Sequence, residues 1–308
     1  MKNINKYLLA VALLGVGISS SQAAPLRVTV LMAEELGAFQ EFAQAYTSAV
    51  QRQSSPPAVA QATTLPADTD LIIAVGIKSA QIASNSKFPV LSVLVSKASF
   101  ENLLGKLPVS RAKDGFSAIL LDQPPKRQVA MVVAALPEAK NIGLLSSAHT
   151  PDAENLRKSL EAKGLKLNEQ QLTSSESLYR DLGLVLEESD VLLAIPDAEV
   201  YNALTMRNIL LATYRRRVPV VGFSASYVKA GALCAVFTTP SQIAKQAADM
   251  TKHFIEETHS KLPAAQYPAE FDIAVNQQVA RSLGVQIRED AVLIKEIKAA
   301  ASSSEEAE

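Results

Sequence analysis

Several short apolar runs of this sequence end in residues that can bind a small charged molecule. Ser hydroxyls and backbone N–H groups at helix starts can hold a carboxylate, and Asp197 or Glu35 can pair with an ammonium group. This combination suits a zwitterion such as an amino acid. The predicted ligand-binding residues are Glu35, Gly76, Lys78, Ser79, Ser96, Ser146, Ser147, Asp197, Phe223, Ser224 and Tyr227.

Two roles are open to Asp197. It follows the apolar run VLLAIP and precedes a stretch with helical spacing, so it can cap a helix N-terminus and stabilise that helix by about 1 kcal/mol. It also comes directly after a predicted strand, at the sheet edge where ligands bind in parallel α/β folds. The two roles are compatible, and the sequence leaves both open.

The glycine and aromatic candidates also have structural alternatives. Gly76 favours a tight turn, because GIKSA lacks the further glycines of a phosphate-binding or dinucleotide-binding loop. Phe223 and Tyr227 can stack on the ring of a ligand or belong to the core. The sequence alone does not separate these two roles.

Catalysis and metal binding are both disfavoured. GFSAS, from Gly222 to Ser226, is close to the nucleophile elbow of hydrolases but lacks its final glycine, and His253 and His259 fall in a helical stretch. Three scattered histidines and one cysteine give no metal-ligand spacing. Cys234, inside ALCAVF, fits a buried apolar residue better than a reactive thiol. We therefore expect a protein that is not an enzyme and has no metal or cofactor.

Apolar runs and helical segments alternate along the chain, which predicts an α/β fold with parallel sheets flanked by helices. The clearest helical patterns cover residues 33–53, 125–138, 152–164 and 241–259. The predicted strands are 26–32, 70–76, 89–95, 116–121, 141–146, 190–195, 218–223 and 232–237.

Three seams divide these segments into two lobes. They lie at LLDQPPKRQ, at FTTPSQ and around AAQYPAEFDIAVN, so the chain is expected to cross between the lobes at each seam. The predicted N-terminal lobe comprises residues 24–121 and 241–267, and the C-terminal lobe comprises residues 122–240 and 268–298. Such lobes would form a hinged clamshell whose cleft is lined by the predicted ligand-binding loops.

The two ends of the chain have their own composition. Residues 1–23 have two lysines, then an apolar run, then small residues, and predict a secretory signal peptide cleaved near Ala23. Because no cysteine follows the run, we expect no lipid anchor, and because no later segment is long and apolar enough to cross a membrane, we expect no stable membrane insertion. The balance of 30 basic and 31 acidic residues argues against a nucleic acid partner. Residues 299–308 are small, polar and acidic, and predict a disordered tail.

Some segments are specific enough to indicate a family. GALCAVFTTPSQIAKQAADM and EFDIAVNQQVARSLGVQI resemble the C-terminal part of the periplasmic substrate-binding proteins of ABC importers, in the type I branch with tryptophan- and tyrosine-binding members. TDLIIAVGIKSAQIA, LPEAKNIGLLSS and VPVVGFSASYVKAGAL resemble earlier parts of that family. The chain departs from it at SSAHTPDAEN, where members often have an Asn- and Glu-containing turn, and at QRQSSPPAVAQATTLP, where members have a full strand and helix.

This resemblance implies a periplasmic protein with the type I clamshell fold. Its function would be to capture a small polar, amino-acid-like molecule between the lobes and to deliver it to an ABC permease and ATPase. The alternative is a periplasmic sensor or interaction subunit of the same fold, acting with a receptor, a kinase or an envelope complex. The two departures from the family pattern favour that alternative slightly.

Overall fold

The computed structural model describes residues 26–147, 150, 152–256 and 261–302. The predicted signal peptide therefore lies outside the described residues, as do Ala148, His149 and His259. The strands are β1 (Arg27–Leu31), β2 (Ala58–Ala62), β3 (Leu71–Val75), β4 (Val90–Val95), β5 (Phe116–Leu120), β6 (Asn141–Ser146), β7 (Lys166–Gln171), β8 (Val191–Leu193), β9 (Val220–Gly222), β10 (Cys234–Phe237) and β11 (Asp272–Val275).

The helices follow the strands in a regular alternation over most of the chain. They are α1 (Gly37–Val50), α2 (Gly76–Ala83), α3 (Lys97–Leu104), α4 (Val109–Asp114), α5 (Pro125–Ala135), α6 (Ala153–Glu161), α7 (Leu178–Glu187), α8 (Met206–Arg215), α9 (Ala225–Ala230), α10 (Pro240–Glu256), α11 (Gln277–Leu283) and α12 (Asp290–Ser302).

The strands form two sheets, and this confirms the predicted α/β fold with two lobes. The first sheet has the order β2-β1-β3-β4-β5 and is parallel throughout. The second has the order β11-β10-β9-β8-β6-β7, in which β11 alone pairs antiparallel. Every residue of β3, β4 and β5 is buried, because helices cover both faces of the sheet and continuous Val, Ile and Leu runs suit such strands.

The core of the first lobe joins segments that are far apart in the sequence. Helices α1 and α10 pack together over one face of the first sheet, where Phe42, Tyr46 and Phe254 are buried. The Tyr46 hydroxyl lies 2.8 Å from the Thr251 hydroxyl, which satisfies both polar groups inside an apolar core. Helix α10 follows β10 of the second sheet, so this lobe is not continuous in sequence.

The second lobe is built in the same way around its own sheet. Helices α5 and α12 cover one face, where Met131, Ile142 and Ile297 are buried, and α7 and α8 cover the other. Cys234 is fully buried in β10, and this burial raises the pKa of its thiol. The sulfur therefore packs as a small apolar group, in agreement with its sequence context.

The structure differs from the sequence predictions at the sheet edges and at the C-terminus. Strands β2, β7 and β11 were not predicted, because each lies at or near a sheet edge and lacks a continuous apolar run; β7, for example, is KLNEQQ. The disordered tail was predicted from residue 299, but α12 continues to Ser302. Alanine favours helix, and Ala300 packs against the core of the second lobe.

Two further observations concern the edge of the first lobe and the helices of the chain. Residues 63–70 connect β2 to β3 without a helix, so the first lobe is shorter at this edge than the resemblance would imply. Within the described ranges, none of the helices combines the length and the apolar content needed to cross a membrane.

Candidate functional site

A cavity of about 200 Å³ lies between the two lobes, at the carboxyl ends of both sheets. This is the position where open parallel sheets bind ligands. The first lobe contributes residues from β4, α2, α3 and the segment after β5, and the second contributes residues that follow β8 and β9. The cavity is lined by Ile77, Leu94, Val95, Ser96, Ser99, Leu121, Pro196, Asp197, Ala198, Tyr201 and Phe223.

An irregular end of β4 shapes the wall formed by the first lobe. The pairing of β4 with β5 shifts between Val93 and Val95, and Leu94 has a φ of 54°, in the left-handed region that few non-glycine residues adopt. Ser96 then ends the strand and caps α3, where its hydroxyl accepts from the Ser99 N–H at 3.3 Å and donates to the Ser99 hydroxyl at 2.9 Å. Both serines at this wall therefore already have hydrogen-bond partners.

Gly76 forms a turn that contributes to the same wall. Its φ is +80°, and a Cβ built at this position would lie 2.6 Å from Cζ of Phe39. Both observations require glycine and fit the turn role that its sequence favoured. The turn starts α2 and brings the next residue, Ile77, to the cavity.

Three aromatic rings pack together in the wall formed by the second lobe. The ring centroids of Phe223 and Tyr227 are 4.8 Å apart, and that of Tyr201 lies 6.2 Å and 6.1 Å from them. Tyr201 and Phe223 line the cavity, and Tyr227 is buried against both. Tyrosine hydroxyls are uncharged at neutral pH, and burial raises the pKa of Tyr201 and Tyr227 further.

The Asp197 carboxylate joins two loops of the second lobe. Its Oδ2 accepts from the Ser147 N–H at 2.7 Å and from the Ser147 hydroxyl at 2.8 Å. Its Oδ1 accepts from the N–H groups of Glu199 and Val200 at 3.0 and 3.3 Å, and lies 3.0 Å from the Ser147 hydroxyl. Both carboxylate oxygens are thus engaged by the protein itself.

The helix predicted to start at Asp197 does not form there. A single turn closes through the Tyr201 N–H, which donates to the Asp197 carbonyl at 2.7 Å. The Asn202 side chain then accepts from the N–H groups of Leu204 and Thr205, a local bond that competes with the helical pattern. Helix α8 begins later, at Met206, so Asp197 caps a turn and not a helix.

Of the other predicted residues, the side chains of Ser79, Ser224 and Lys78 have partners within the protein, and that of Ser146 has none in the described part of the chain. The Ser79 hydroxyl accepts from the Ala33 N–H at 3.0 Å, and the Ser224 hydroxyl caps α9 by accepting from the Tyr227 N–H at 3.2 Å. Lys78 forms an ion pair with Glu34 at 2.7 Å. Ser146 is buried at the end of β6, and its hydroxyl has no partner among the described residues.

Glu35 is separated from the cavity and lies in another groove. This groove has a volume of about 730 Å³ and is lined by residues of the first lobe alone. Its walls are α1, the edge strand β2 and the segment after β1. Since it lacks any contribution from the second lobe, closure of the two lobes would not enclose a molecule bound there.

A second contact between the lobes lies beside the cavity, and we call Lys97, Asp122, Asp152 and Tyr267 the charged bridge. Lys97 Nζ lies 2.6 Å from Oδ1 of Asp152 in the second lobe and 3.2 Å from the Tyr267 hydroxyl, which itself donates to Asp152. The Lys97 N–H donates to Oδ2 of Asp122 at 2.6 Å. Burial, with a smaller contribution from nearby Asp152, raises the pKa of Asp122 to about 6.

The sequence did not indicate most of these residues. Leu94, Val95 and Leu121 end apolar runs, where a cavity wall and a core position have the same composition. Lys97 follows a predicted strand, but its partners are 25, 55 and 170 positions away in the chain. Only a topology that brings strand ends of both lobes together could have revealed them.

The family of the protein follows from sequence comparison together with this fold. The sequence profile described as ABC transporter substrate binding protein matches residues 44–299, which is most of the chain. The chain belongs to the ABC transporter substrate binding protein family. The family resemblance seen in the sequence is thereby confirmed. No curated protein sequence matches the chain.

Solved structures show the same fold at low sequence identity. A conserved domain protein from Vibrio cholerae has a TM-score of 0.63 and 21% identity, with 88% of this chain and 98% of that chain covered. An ABC domain from Streptococcus pneumonia, in complex with L-Trp, has a TM-score of 0.65 and 15% identity, with 89% and 98% covered. A substrate binding protein with adhesive properties from Clostridium difficile, ligand-free and open, has a TM-score of 0.62 and 17% identity, with 86% and 97% covered.

These likenesses confirm the predicted fold class, a two-lobed type I periplasmic-binding fold. In such a fold the cleft between the lobes is the position for a bound solute, because the strand ends of both lobes meet there. The cavity beside the charged bridge is therefore the candidate binding site of this member of the family.

Proposed function

We propose that this protein is exported and captures a small molecule in the cavity between its lobes. The observation that carries this proposal is the cavity itself, which both lobes line at the carboxyl ends of their sheets. A ligand in that position contacts both lobes at once, so it stabilises the closed arrangement more than the open one. An ABC permease and ATPase would then recognise the closed form and accept the ligand.

Amino acids are the first class of ligand to test. The sequence suggested an amino-acid-like molecule, and one solved protein of this fold is in complex with L-Trp. We propose binding without chemical change of the ligand. In support, Ser224 of the GFSAS motif uses its hydroxyl to cap α9, which is a structural role.

The N-terminal residues support export. We propose that residues 1–23 are a signal peptide and that the protein acts in the periplasm, free of stable membrane insertion. Mass spectrometry of the exported protein is expected to give an N-terminus at Ala24. An intact N-terminus on the exported protein would contradict this assignment.

A sensor or interaction subunit of the same fold remains the second candidate. The observation in its favour is the connection over residues 63–70, which has no helix and leaves the edge of the first sheet near β2 less covered than the family pattern implies. Such an edge can serve a protein partner. Under this alternative, a receptor, kinase or envelope complex would recognise the clamshell.

Thermal unfolding against a panel of amino acids and small metabolites tests the binding function. A ligand that binds the native state alone, at 100 times its dissociation constant, adds about 2.7 kcal/mol to the free energy of unfolding and raises Tm. We expect at least one compound to raise Tm in a concentration-dependent manner. If no compound does so, the solute-binding function fails and the interaction role gains support.

Uptake measurements then separate transport from sensing. Loss of the gene is expected to abolish uptake of the compound identified by the Tm shift, and the native gene is expected to restore it. Uptake that continues at the parental rate without the protein would contradict delivery to an importer.

A further inference from the structure

The charged groups and the serines at the cavity already have partners within the protein, whereas the buried Tyr201 hydroxyl has none among the described residues. Asp197 is the charged side chain that lines the cavity within the described part of the chain, and both its oxygens accept hydrogen bonds from Ser147 and the following turn. Nearby, Lys97 is bound to Asp152 and Tyr267. Among the described residues that line the cavity, a charged ligand therefore meets no cation, and the one carboxylate it meets already accepts hydrogen bonds from the protein.

The rest of the wall is predominantly apolar. Ile77, Leu94, Val95 and Leu121 face it from the first lobe, and Pro196, Tyr201 and Phe223 face it from the second. The volume of about 200 Å³ is below the roughly 300–1,000 Å³ of pockets for drug-sized ligands. The cavity therefore fits one small ring system with few substituents.

We infer that the cavity selects a small, neutral aromatic compound by its ring and does not recognise the charged groups of an amino acid. This inference rests on the proposed solute-binding function and specifies the ligand class of that same site. The edge-on packing of Tyr201 against Phe223 leaves aromatic surface at the wall, and aromatic rings stack favourably on such surfaces.

The cost of burying charge explains the expected preference. An ammonium or carboxylate group that leaves water needs a partner, and removal of a charge from water without one costs several kcal/mol. One solved protein of this fold is in complex with L-Trp, so that protein does hold a zwitterion. Here the described lining has no cation for the carboxylate of a zwitterion, and Asp197, the acceptor for its ammonium group, already accepts bonds from Ser147 and the turn that follows.

Isothermal titration calorimetry with four compounds that share one ring tests this inference. The compounds are indole, which is neutral; tryptamine, a cation; indole-3-propionate, an anion; and L-tryptophan, a zwitterion. We expect indole to bind at least tenfold more tightly than each charged compound. Their smaller counterparts, toluene, phenethylamine, 3-phenylpropionate and L-phenylalanine, are expected to give the same order.

The possible results distinguish this inference from the function on which it rests. If L-tryptophan or L-phenylalanine binds more tightly than its neutral ring, the inference is wrong and the solute-binding function stands. If another, non-aromatic solute binds and none of the eight compounds does, the inference is again wrong and the function stands. If no solute binds at all, both fail.

A charge introduced into the wall provides a second test. Leu121→Glu places a carboxylate without an assigned partner at the cavity, so we expect at least tenfold weaker binding of indole and measurable binding of tryptamine. Val109→Glu introduces the same group at a position that is 82% exposed and is expected to leave both affinities unchanged. Equal effects of the two substitutions, or unchanged indole binding in Leu121→Glu, would overturn the assignment of the cavity.

Discussion

The cavity and the charged bridge lie in the same cleft and join the same two lobes, but they do so with opposite chemistry. In the charged bridge, Lys97 of the first lobe meets Asp152 of the second at 2.6 Å, and both side chains are mostly buried. In the cavity, apolar side chains of both lobes face one another across open space. One region is complete without a ligand, whereas the other gains contacts when a ligand fills it.

This difference indicates how the cleft divides its tasks. An ion pair between the lobes has a fixed geometry and favours one arrangement of the lobes whether or not a solute is present. An apolar cavity stabilises that arrangement only when apolar surface of the ligand leaves water. The charged bridge therefore favours this arrangement of the lobes without a ligand, and under the proposed function the cavity adds a stabilisation that depends on the ligand.

The largest expected effect comes from Asp122, the most strongly perturbed carboxyl of the charged bridge. Its pKa is raised to about 6 from the ordinary 3.8, so between these values the folded chain holds a proton that the unfolded chain has lost. Stability therefore falls as pH rises from 4 to 7, by about 2 to 3 kcal/mol for this group. Asp122→Asn removes that dependence.

Urea unfolding of the parent and of Asp122→Asn at several pH values measures the effect. We expect the Asn variant to gain on the parent steadily between pH 4 and 7 and by a constant amount above pH 7. The groups that face Asp122 are Lys97, Asp152 and Tyr267, with Glu101 4.0 Å from Lys97. A difference between the two proteins that stays constant from pH 4 to 7 would contradict this assignment.

The ion pair of the charged bridge gives the next largest effect. Lys97→Met leaves Asp152 mostly buried without its cation, which we expect to lower the free energy of unfolding by about 2 kcal/mol, below the 3–5 kcal/mol of a fully buried pair. Lys97→Met combined with Asp152→Leu is expected to recover most of the loss. A double-mutant cycle from urea unfolding measures the coupling.

An exposed pair in the same protein is the matched control. Lys158 and Glu154 lie 3.5 Å apart on α6 and are 67% and 69% exposed, so their coupling is expected to be below about 0.5 kcal/mol. If both cycles gave the same coupling, the charged bridge would be no more than a surface ion pair, and the contrast with the cavity would lose its basis.

The eight strands predicted from the sequence correspond to the strands found, because each is a buried run of Val, Ile and Leu. The three that escaped prediction have no such run: β2 is AVAQA and β7 is KLNEQQ. A strand at a sheet edge has neighbours on one side only, so the sequence needs less apolar surface there. Local patterns therefore revealed the centre of each sheet but not its edges.

The candidate site could be predicted in position but not in chemistry. Ser96, Asp197 and Phe223 lie at the cavity because they follow parallel strands, and strand order alone puts such residues at one edge. The expected zwitterion chemistry depended on free side chains, however, and Asp197 is bound to Ser147, 50 positions away. A partner at that distance in the chain cannot be inferred from local spacing.

Asp197 gives the smallest of these effects and joins the two halves of the comparison, since it is a charged residue in the wall of the cavity. Asp197→Ala removes the bonds to Ser147 and to the turn of residues 198–200, and we expect a loss of about 1.5 kcal/mol in the free energy of unfolding. Asp197→Asn keeps an acceptor for the turn and is expected to lose less. Urea unfolding and calorimetry with indole check both variants.

The binding data for these variants decide between the two roles that the sequence left open. Because both carboxylate oxygens already accept hydrogen bonds from the protein, and indole has no charge to pair with them, the affinity for indole is expected to change less than threefold in either variant. If the folded Asp197→Ala protein instead lost more than tenfold in affinity for an amino acid that the parent binds, the carboxylate would be a ligand for an ammonium group. The cavity would then share the charged chemistry of the bridge, and the division between the two regions would be wrong.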